Sequence, residues 1–488
     1  MLDSLRTWLT QNRTAIDHRL ELTQLPDGSA AVYARGDIPL DCTVARIPKH
    51  LVLSHRSSSL SPSEPHANAL AHAPLALRLA VHVLHEVLRG SDSFWAPYLA
   101  ASPPEEEVPI AVLWEEGSEA AQWARGTQLE KEVRKADITR TTLSAFYYSH
   151  ALPILSASSS TYICAPTLPA FLHAYTLVST RAFLVDSTFH TLALVPLADL
   201  FNHEQEGVHN VHFATAEQWV CGECGSVREC EHDRAEGAPP PPPCAGEDDE
   251  EEDKCDMVTN LPIAAGDEVF NHYGPRLSNA KLAARYGFLL EANEWDVVDF
   301  SLDDVLSALE LDAERREEVE RRWQEALGSA ELKEQLGEEH PLIAPPPSTS
   351  DGLADAEPER PTALAVDADA RLSYPLWLLL ALVALPPPAS SASSASRLAR
   401  LAHAIELLAE DDALDLLEDD LAAAGRLSKL VDRLVQARFW RERDPHRSAT
   451  DLLELAEKTP DRAIRLAISF LAGERLLLER LQQNWTFA

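Results

Sequence analysis

Asp199-Leu200-Phe201-Asn202-His203 and Phe270-Asn271-His272-Tyr273 lie far apart in the chain, and their joint reading decides the fold. The first follows Leu192-Ala193-Leu194-Val195-Pro196-Leu197, an apolar run that reads as a strand. The second closes Ala265-Gly266-Asp267-Glu268-Val269-Phe270, which reads as a turn, a strand at Glu268-Val269-Phe270, and an aromatic exit at Tyr273. Working outward, Val32-Tyr33-Ala34, Val44-Ala45-Arg46-Ile47-Pro48, Leu51-Val52-Leu53 and Met257-Val258-Thr259 also read as short strands between Gly and Pro punctuation. Residues 68–180 have helical texture, with apolar residues three and four apart in Leu75–Leu88 and Ala170–Phe183. After Phe300 the chain is rich in Leu, Ala, Glu and Arg at helical spacing, interrupted by Pro- or Ser-rich loops at 341–350 and 386–396. The expected class is α+β: short β-sheets with a helical insertion, then an all-α C-terminal domain.

Four hundred and eighty-eight residues are too many for one core. Lys and Arg number 42 against 78 Asp and Glu, a formal net charge of −36. That charge argues against a phosphate-neutralising surface, so no direct nucleic-acid binding is expected. It suits a basic protein partner, although solubility alone also explains it. The most apolar stretch, Leu376–Leu385, is shorter than the roughly 20 residues a membrane span needs, so a buried helix is expected there and no membrane role. Met1–Leu9 lacks a charged segment followed by an apolar run, so no secretory signal is read. The expected compartment is cytoplasm or nucleus.

"ADLFNH" after an apolar strand, paired with "GDEVFNHYG", resembles the C-terminal half of a SET domain. The nearest likeness is to the branch holding the Rubisco large-subunit methyltransferase, the fungal ribosomal-protein lysine methyltransferases and the actin-histidine methyltransferase. Asp37-Ile38 through Ile47-Pro48, Phe94–Leu99, Gly126-Thr127-Gln128-Leu129 and Ser179–Phe183 are similar to further landmarks of that branch, in the same order. The resemblance implies a catalytic SET domain over 1–295, with its helical insertion at 68–180 and a surface insertion at 218–256. It implies a helical domain over 296–488 like the substrate-binding domain of the Rubisco enzyme.

It further implies an AdoMet-dependent protein-lysine N-methyltransferase acting on a protein substrate. Two alternatives stand beside it: histidine N-methylation, or a SET-fold scaffold without catalysis. By that likeness Tyr273 is the catalytic tyrosine and also touches the cofactor. Gly28-Ser29-Ala30, Arg181, Asn202 and His203 would hold AdoMet, the Arg181 guanidinium suiting its carboxylate. Phe183, Asp199, Phe201 and Phe270 would line the substrate channel. Lysine-modifying members tend to be aromatic at the position of Phe183, which favours lysine. Ser29-Ala30 departs from the branch's Gly-x-Gly; alanine permits close approach but disfavours positive φ.

Five of the seven cysteines, Cys221, Cys224, Cys230, Cys244 and Cys255, fall in the stretch that also holds the Pro239–Pro243 run and the Glu247–Asp253 acidic run. Such a stretch cannot form a core, so a surface insertion is expected there. Cys221-x2-Cys224-x5-Cys230-x-His232 supplies four ligands for a tetrahedral zinc ion, or else a loop of reduced thiols.

Overall fold

The structure, a computed structural model, describes residues 2–25, 29–63, 66–104, 107–215, 220–226, 230–233, 254–337, 363–385, 393–409 and 416–486. Gly28, Cys244, the proline run and the acidic run lie outside the described residues. The chain divides into two compact units. The first comprises residues 1–114, 136–276 and 285–287, and the second 115–135, 277–284 and 288–488.

Short antiparallel strands frame the first unit. β1 (Ala15–Ile16), β4 (Thr43–Pro48), β7 (Val211–Thr215) and β8 (Lys254–Thr259) form one sheet in the order β1-β4-β8-β7. β2 (Leu20–Gln24) pairs with β3 (Ala30–Ala34), and β5 (Ala182–Leu184) pairs with β6 (Leu192–Leu194). β8 alternates partly buried with buried residues, placing Cys255, Met257 and Thr259 inward, as a period of two requires. Cys255 was expected in the surface insertion; it is instead a buried residue of β8, opposite Ile47 and Thr215. The insertion therefore ends before Lys254, because the alternation there builds a strand. Two helices, Leu75–Arg89 and Leu168–Arg181, pack on each other and on the β5–β6 hairpin, burying Leu79, Val83, Leu84, Phe171, Leu177 and Val178.

Glu268-Val269-Phe270 departs from its expected strand. Tyr33 bridges Glu268, Val269 N–H donates to the Val32 carbonyl at 2.7 Å, and the Phe270 carbonyl accepts from Asn210 and Val211 at 3.0 Å. The segment divides its hydrogen bonds between two neighbours, so no continuous ladder forms. Leu51 ends a 3-10 turn, Lys49–Leu51, and Leu53 makes only a bridge to Leu194.

The second unit is helical, as expected, with one addition. β9 (Val297–Phe300) pairs antiparallel with β10 (Leu364–Asp367). Around it pack the helices Ala313–Leu327, Tyr374–Ala384, Ser394–Ala409 and Glu418–Phe439. The apolar run forms Tyr374–Ala384, with Leu376 to Leu382 all buried. Among the described residues no helix is long and apolar enough to cross a membrane. Residues 115–135, read from sequence as part of the helical insertion, pack within this unit. The Gln128 N–H donates to Glu474 at 2.8 Å, and the Arg443 guanidinium sits 4.3 Å from the Trp123 ring centre. Gly126 (φ +83°) lies where an added Cβ would meet the Arg441 carbonyl oxygen at 2.6 Å.

Candidate active site

The two opening stretches meet. His203 bridges Asn271 in parallel, Asn271 N–H donates to the Asn202 carbonyl at 2.7 Å, and Glu204 N–H donates to the Asn271 carbonyl at 3.1 Å. The approach to this junction is sharply turned: Leu197, fully buried, holds φ +79° ahead of the single turn Ala198–Leu200. A non-glycine residue there carries strain of about 1–3 kcal/mol, a cost that the surrounding packing must offset. The turn aims Asp199 inward and brings the Phe201 carbonyl to the Tyr273 hydroxyl, which donates to it at 3.1 Å.

Tyr273 is held at further points as well. Its backbone N–H donates to His203 Nδ1 at 3.1 Å, its ring stacks on His203 at 5.0 Å between centroids, and Tyr286 lies 5.3 Å away. Burial pushes its phenol well above the ordinary tyrosine value; Arg181 opposes this, and the Asp199 and Glu268 charges add to it. Tyr273 is therefore a neutral donor at neutral pH. Burial, with His272 and His209 nearby, holds His203 down at about 4, so its imidazole is neutral. Because Nδ1 accepts from Tyr273, the proton is assigned to Nε2.

Arg181 is already engaged. Its Nη1 donates to the Asp199 carbonyl at 3.0 Å and to Asp199 Oδ2 at 3.3 Å, and the Tyr98 hydroxyl donates to the same Oδ2 at 2.8 Å. Arg181 Nε and Asp199 Oδ1 are buried and have no hydrogen-bond partner among the described residues. One unsatisfied donor on a cation and one unsatisfied acceptor on an anion are the complement of an amino acid's carboxylate and ammonium.

Asn202 Nδ2 donates to Glu268 Oε1 at 2.7 Å and to the Ala30 carbonyl at 3.3 Å, tying the junction to β3. Ala30 pairs with Gln24 in the β2–β3 hairpin, so its backbone is extended. The absent second glycine therefore costs no strain at position 30. Phe201 is fully buried, Phe270 donates its N–H to Asn210 Oδ1 at 2.8 Å, and Phe183 packs on Phe213 at 4.7 Å. The structure thus brings Tyr273, Asn202, His203, Arg181, Asp199 and Phe201 into one bonded network, whereas the contacts of Phe183 run to β7. Cys221, Cys224, Cys230 and His232 also come together, as a separate group.

Sequence reasoning missed Glu268 and Tyr98. Tyr98 lies within the Phe94–Leu99 landmark, so a signal was present. Glu268 carries no mark beyond its place beside Val269.

No family model matches the chain. The chain is 25% identical over 378 residues to ribosomal lysine N-methyltransferase 3 of Saccharomyces cerevisiae, covering 64% of this chain and 65% of that protein. It is 24% identical over 310 residues to the actin-histidine N-methyltransferase of Mus musculus, covering 61% and 44%. The chain thus spans less than two thirds of either relative. Among solved structures, the SET domain of LSMT bound to lysine and AdoHcy matches with a TM-score of 0.53 at 17% identity, covering 99% of this chain and 90% of that one. Rubisco LSMT bound to AdoMet matches with a TM-score of 0.51 at 17% identity, covering 99% and 91%. The fold is that of a SET domain followed by a helical region, and these relatives fall in the branch that the sequence motifs resemble.

Proposed function

We propose that this SET-fold chain is an AdoMet-dependent protein-lysine N-methyltransferase. The observation that carries the reading is the Tyr273 hydroxyl, protonated and held on the Phe201 carbonyl where the two motif segments join. Bound AdoMet would supply an electrophilic methyl group on a sulfonium. The unsatisfied Arg181 Nε and Asp199 Oδ1 suit the cofactor's amino-acid end. Asn202, His203 and the Ser29-Ala30 backbone are the further residues proposed to hold it.

The chain's own residues then have distinct tasks. Tyr273 orients rather than deprotonates, because a phenol whose pKa burial has raised is a poor base at neutral pH. His203 fixes the Tyr273 backbone by accepting its N–H. The main acceleration comes from alignment of the amine with the transferring methyl. Phe183, Phe201 and Phe270 are proposed to keep water from the amine, favouring its neutral form. The helical unit is proposed to grip the protein substrate. The −36 charge and a ribosomal lysine methyltransferase among the relatives support a basic protein target. They also support work in the cytoplasm or nucleus.

Histidine methylation is the second reading, favoured by the actin-histidine relatives and opposed by the aromatic Phe183. Incubating a proteome with the protein and isotope-labelled AdoMet, followed by peptide mass spectrometry, names the modified atom. Labelled lysine is expected. Labelled histidine would select the second reading, and a folded protein that neither binds AdoMet nor labels any peptide would leave a scaffold.

A further inference from the structure

Between β7 and β8 the chain holds a cluster that methyl transfer does not use. Cys221, Cys224, Cys230 and His232 each present one ligand atom, and all four atoms lie within 4.8 Å of one another. Cys230 Sγ is 3.6 Å from His232 Nδ1. A tight turn begins the cluster: Gly225 N–H donates to the Cys221 carbonyl at 2.8 Å, and Cys221 N–H donates to the Ser226 carbonyl at 2.9 Å. Gly225 takes φ +77°, and a Cβ there would meet the Phe189 ring at 2.7 Å, so only glycine fits the turn.

We propose that Cys221, Cys224, Cys230 and His232 bind one zinc ion in a closed structural site. Three thiolates and an imidazole are a soft donor set that selects zinc over magnesium or calcium. Tetrahedral zinc, with sulfur at about 2.3 Å and nitrogen at about 2.0 Å, places its ligand atoms roughly 3.5–4 Å apart. A spread of 4.8 Å therefore closes by small side-chain rotations. Binding releases the three thiol protons to solvent and involves no electron transfer. Four protein ligands leave no open position, so the ion acts as a fastener.

What it fastens is visible in the contacts. The Val220 carbonyl accepts from Thr188 Oγ1 at 2.9 Å, and the Gly222 carbonyl accepts from Arg56 Nη2 at 2.9 Å. Arg56 in turn lies 5.5 Å from the centre of the Phe189 ring. The cluster thus sits on the turn joining β5 to β6. Asp186 organises that turn by accepting the N–H groups of Thr188 at 3.0 Å, Phe189 at 2.6 Å and His190 at 3.0 Å. β5 also carries Phe183. The ion would clamp the start of the insertion to this turn and so steady the strand behind it.

The test reads metal and melting, so it stands apart from the methylation reading. Elemental analysis of the full chain, purified without chelators, is expected to give one zinc per chain. Cobalt exchanged into the protein is expected to give the intense visible bands of tetrahedral thiolate coordination. Cys224→Ser, at an exposed position, is expected to retain at least tenfold less zinc in competition with a chelator, while His232→Cys retains it. Chelator is expected to lower the melting temperature of the parent but not of Cys224→Ser. The proposal is overturned if the parent carries no zinc and melts unchanged in chelator, or if Cys224→Ser keeps its zinc. Should Cys224→Ser fail to fold, the parent's stoichiometry and cobalt spectrum decide alone.

Discussion

Replacing Asp199 by asparagine removes one charge from a buried pair and leaves the side-chain shape almost unchanged. The Asp199 side chain is 1% exposed and that of Arg181 21%, with Nη1 and Oδ2 3.3 Å apart. Deleting one partner of a buried ion pair costs about 3–5 kcal/mol, because the other charge is left uncompensated. Two features pull the expected loss to the low end. Arg181 keeps its bond to the Asp199 backbone carbonyl and some access to water. Burial also pushes the Asp199 carboxyl above its ordinary value, so part of the loss is returned when that desolvated charge is removed. The expected cost of Asp199→Asn is about 3 kcal/mol, roughly a hundredfold in the unfolding equilibrium of this unit.

Tyr98→Phe removes a hydrogen bond to a charged group and should cost about 1.5–3 kcal/mol. Made in the Asp199→Asn background, the same change removes a bond between neutral groups, worth about 1 kcal/mol. The double-mutant cycle should therefore show coupling of about 1 kcal/mol. Urea unfolding, with hydrogen exchange at residues 198–203 to assign the loss, measures all four corners. An unchanged midpoint for Asp199→Asn, together with strictly additive single changes, would refute the account of this pair.

Tyr273→Phe should lower turnover roughly a hundredfold, in line with loss of one positioned donor, while calorimetry shows AdoMet affinity little changed. Equal turnover would remove Tyr273 from its assigned role. His203 and His272 are both held at about 4, burial being the main cause. A histidine whose pKa is depressed by folding binds fewer protons folded than unfolded. Its stability contribution is therefore complete above about pH 6.5 and is lost as pH falls toward 4. Melting temperature should drop across that window in the parent and drop less in His203→Gln. Gly126→Ala should destabilise the helical unit by more than about 2 kcal/mol, since it meets both a positive φ and a backbone oxygen; calorimetric melting of that variant checks it.

Much of this was legible in the sequence, for local reasons. The alternation in Met257-Val258-Thr259 gave β8, and helical spacing gave Leu75–Arg89 and Leu168–Arg181. The two motif segments were recognisable because backbone and side-chain duties fix several residue types within a few positions. What was hidden depends on partners distant in the chain. Glu268 matters because Asn202 and Tyr33 converge on it, and Tyr98 because its hydroxyl reaches Asp199. Residues 115–135 look like any amphipathic segment until Gln128 meets Glu474. Cys255 was misplaced because the acidic run ends abruptly against a strand, and composition averages over such an edge.

The protonation states of the site carry a last consequence for the pH dependence of rate. Tyr273 stays protonated and His203 neutral throughout the neutral range, and Arg181 and Asp199 form a compensated pair. No assigned group of the site therefore changes charge between about pH 6.5 and 9, whereas a free lysine amine has a pKa near 10.4. If the amine loses its proton before methyl transfer, kcat/KM should rise with pH in proportion to the neutral fraction, about tenfold per unit, until the amine itself titrates. The profile should keep that slope in Tyr273→Phe, displaced downward, because the tyrosine orients and does not accept the proton. Initial rates on a labelled peptide substrate across this range decide it. A plateau near neutral pH that disappears with Tyr273→Phe would assign the tyrosine as base and overturn the reading of a phenol kept protonated by burial.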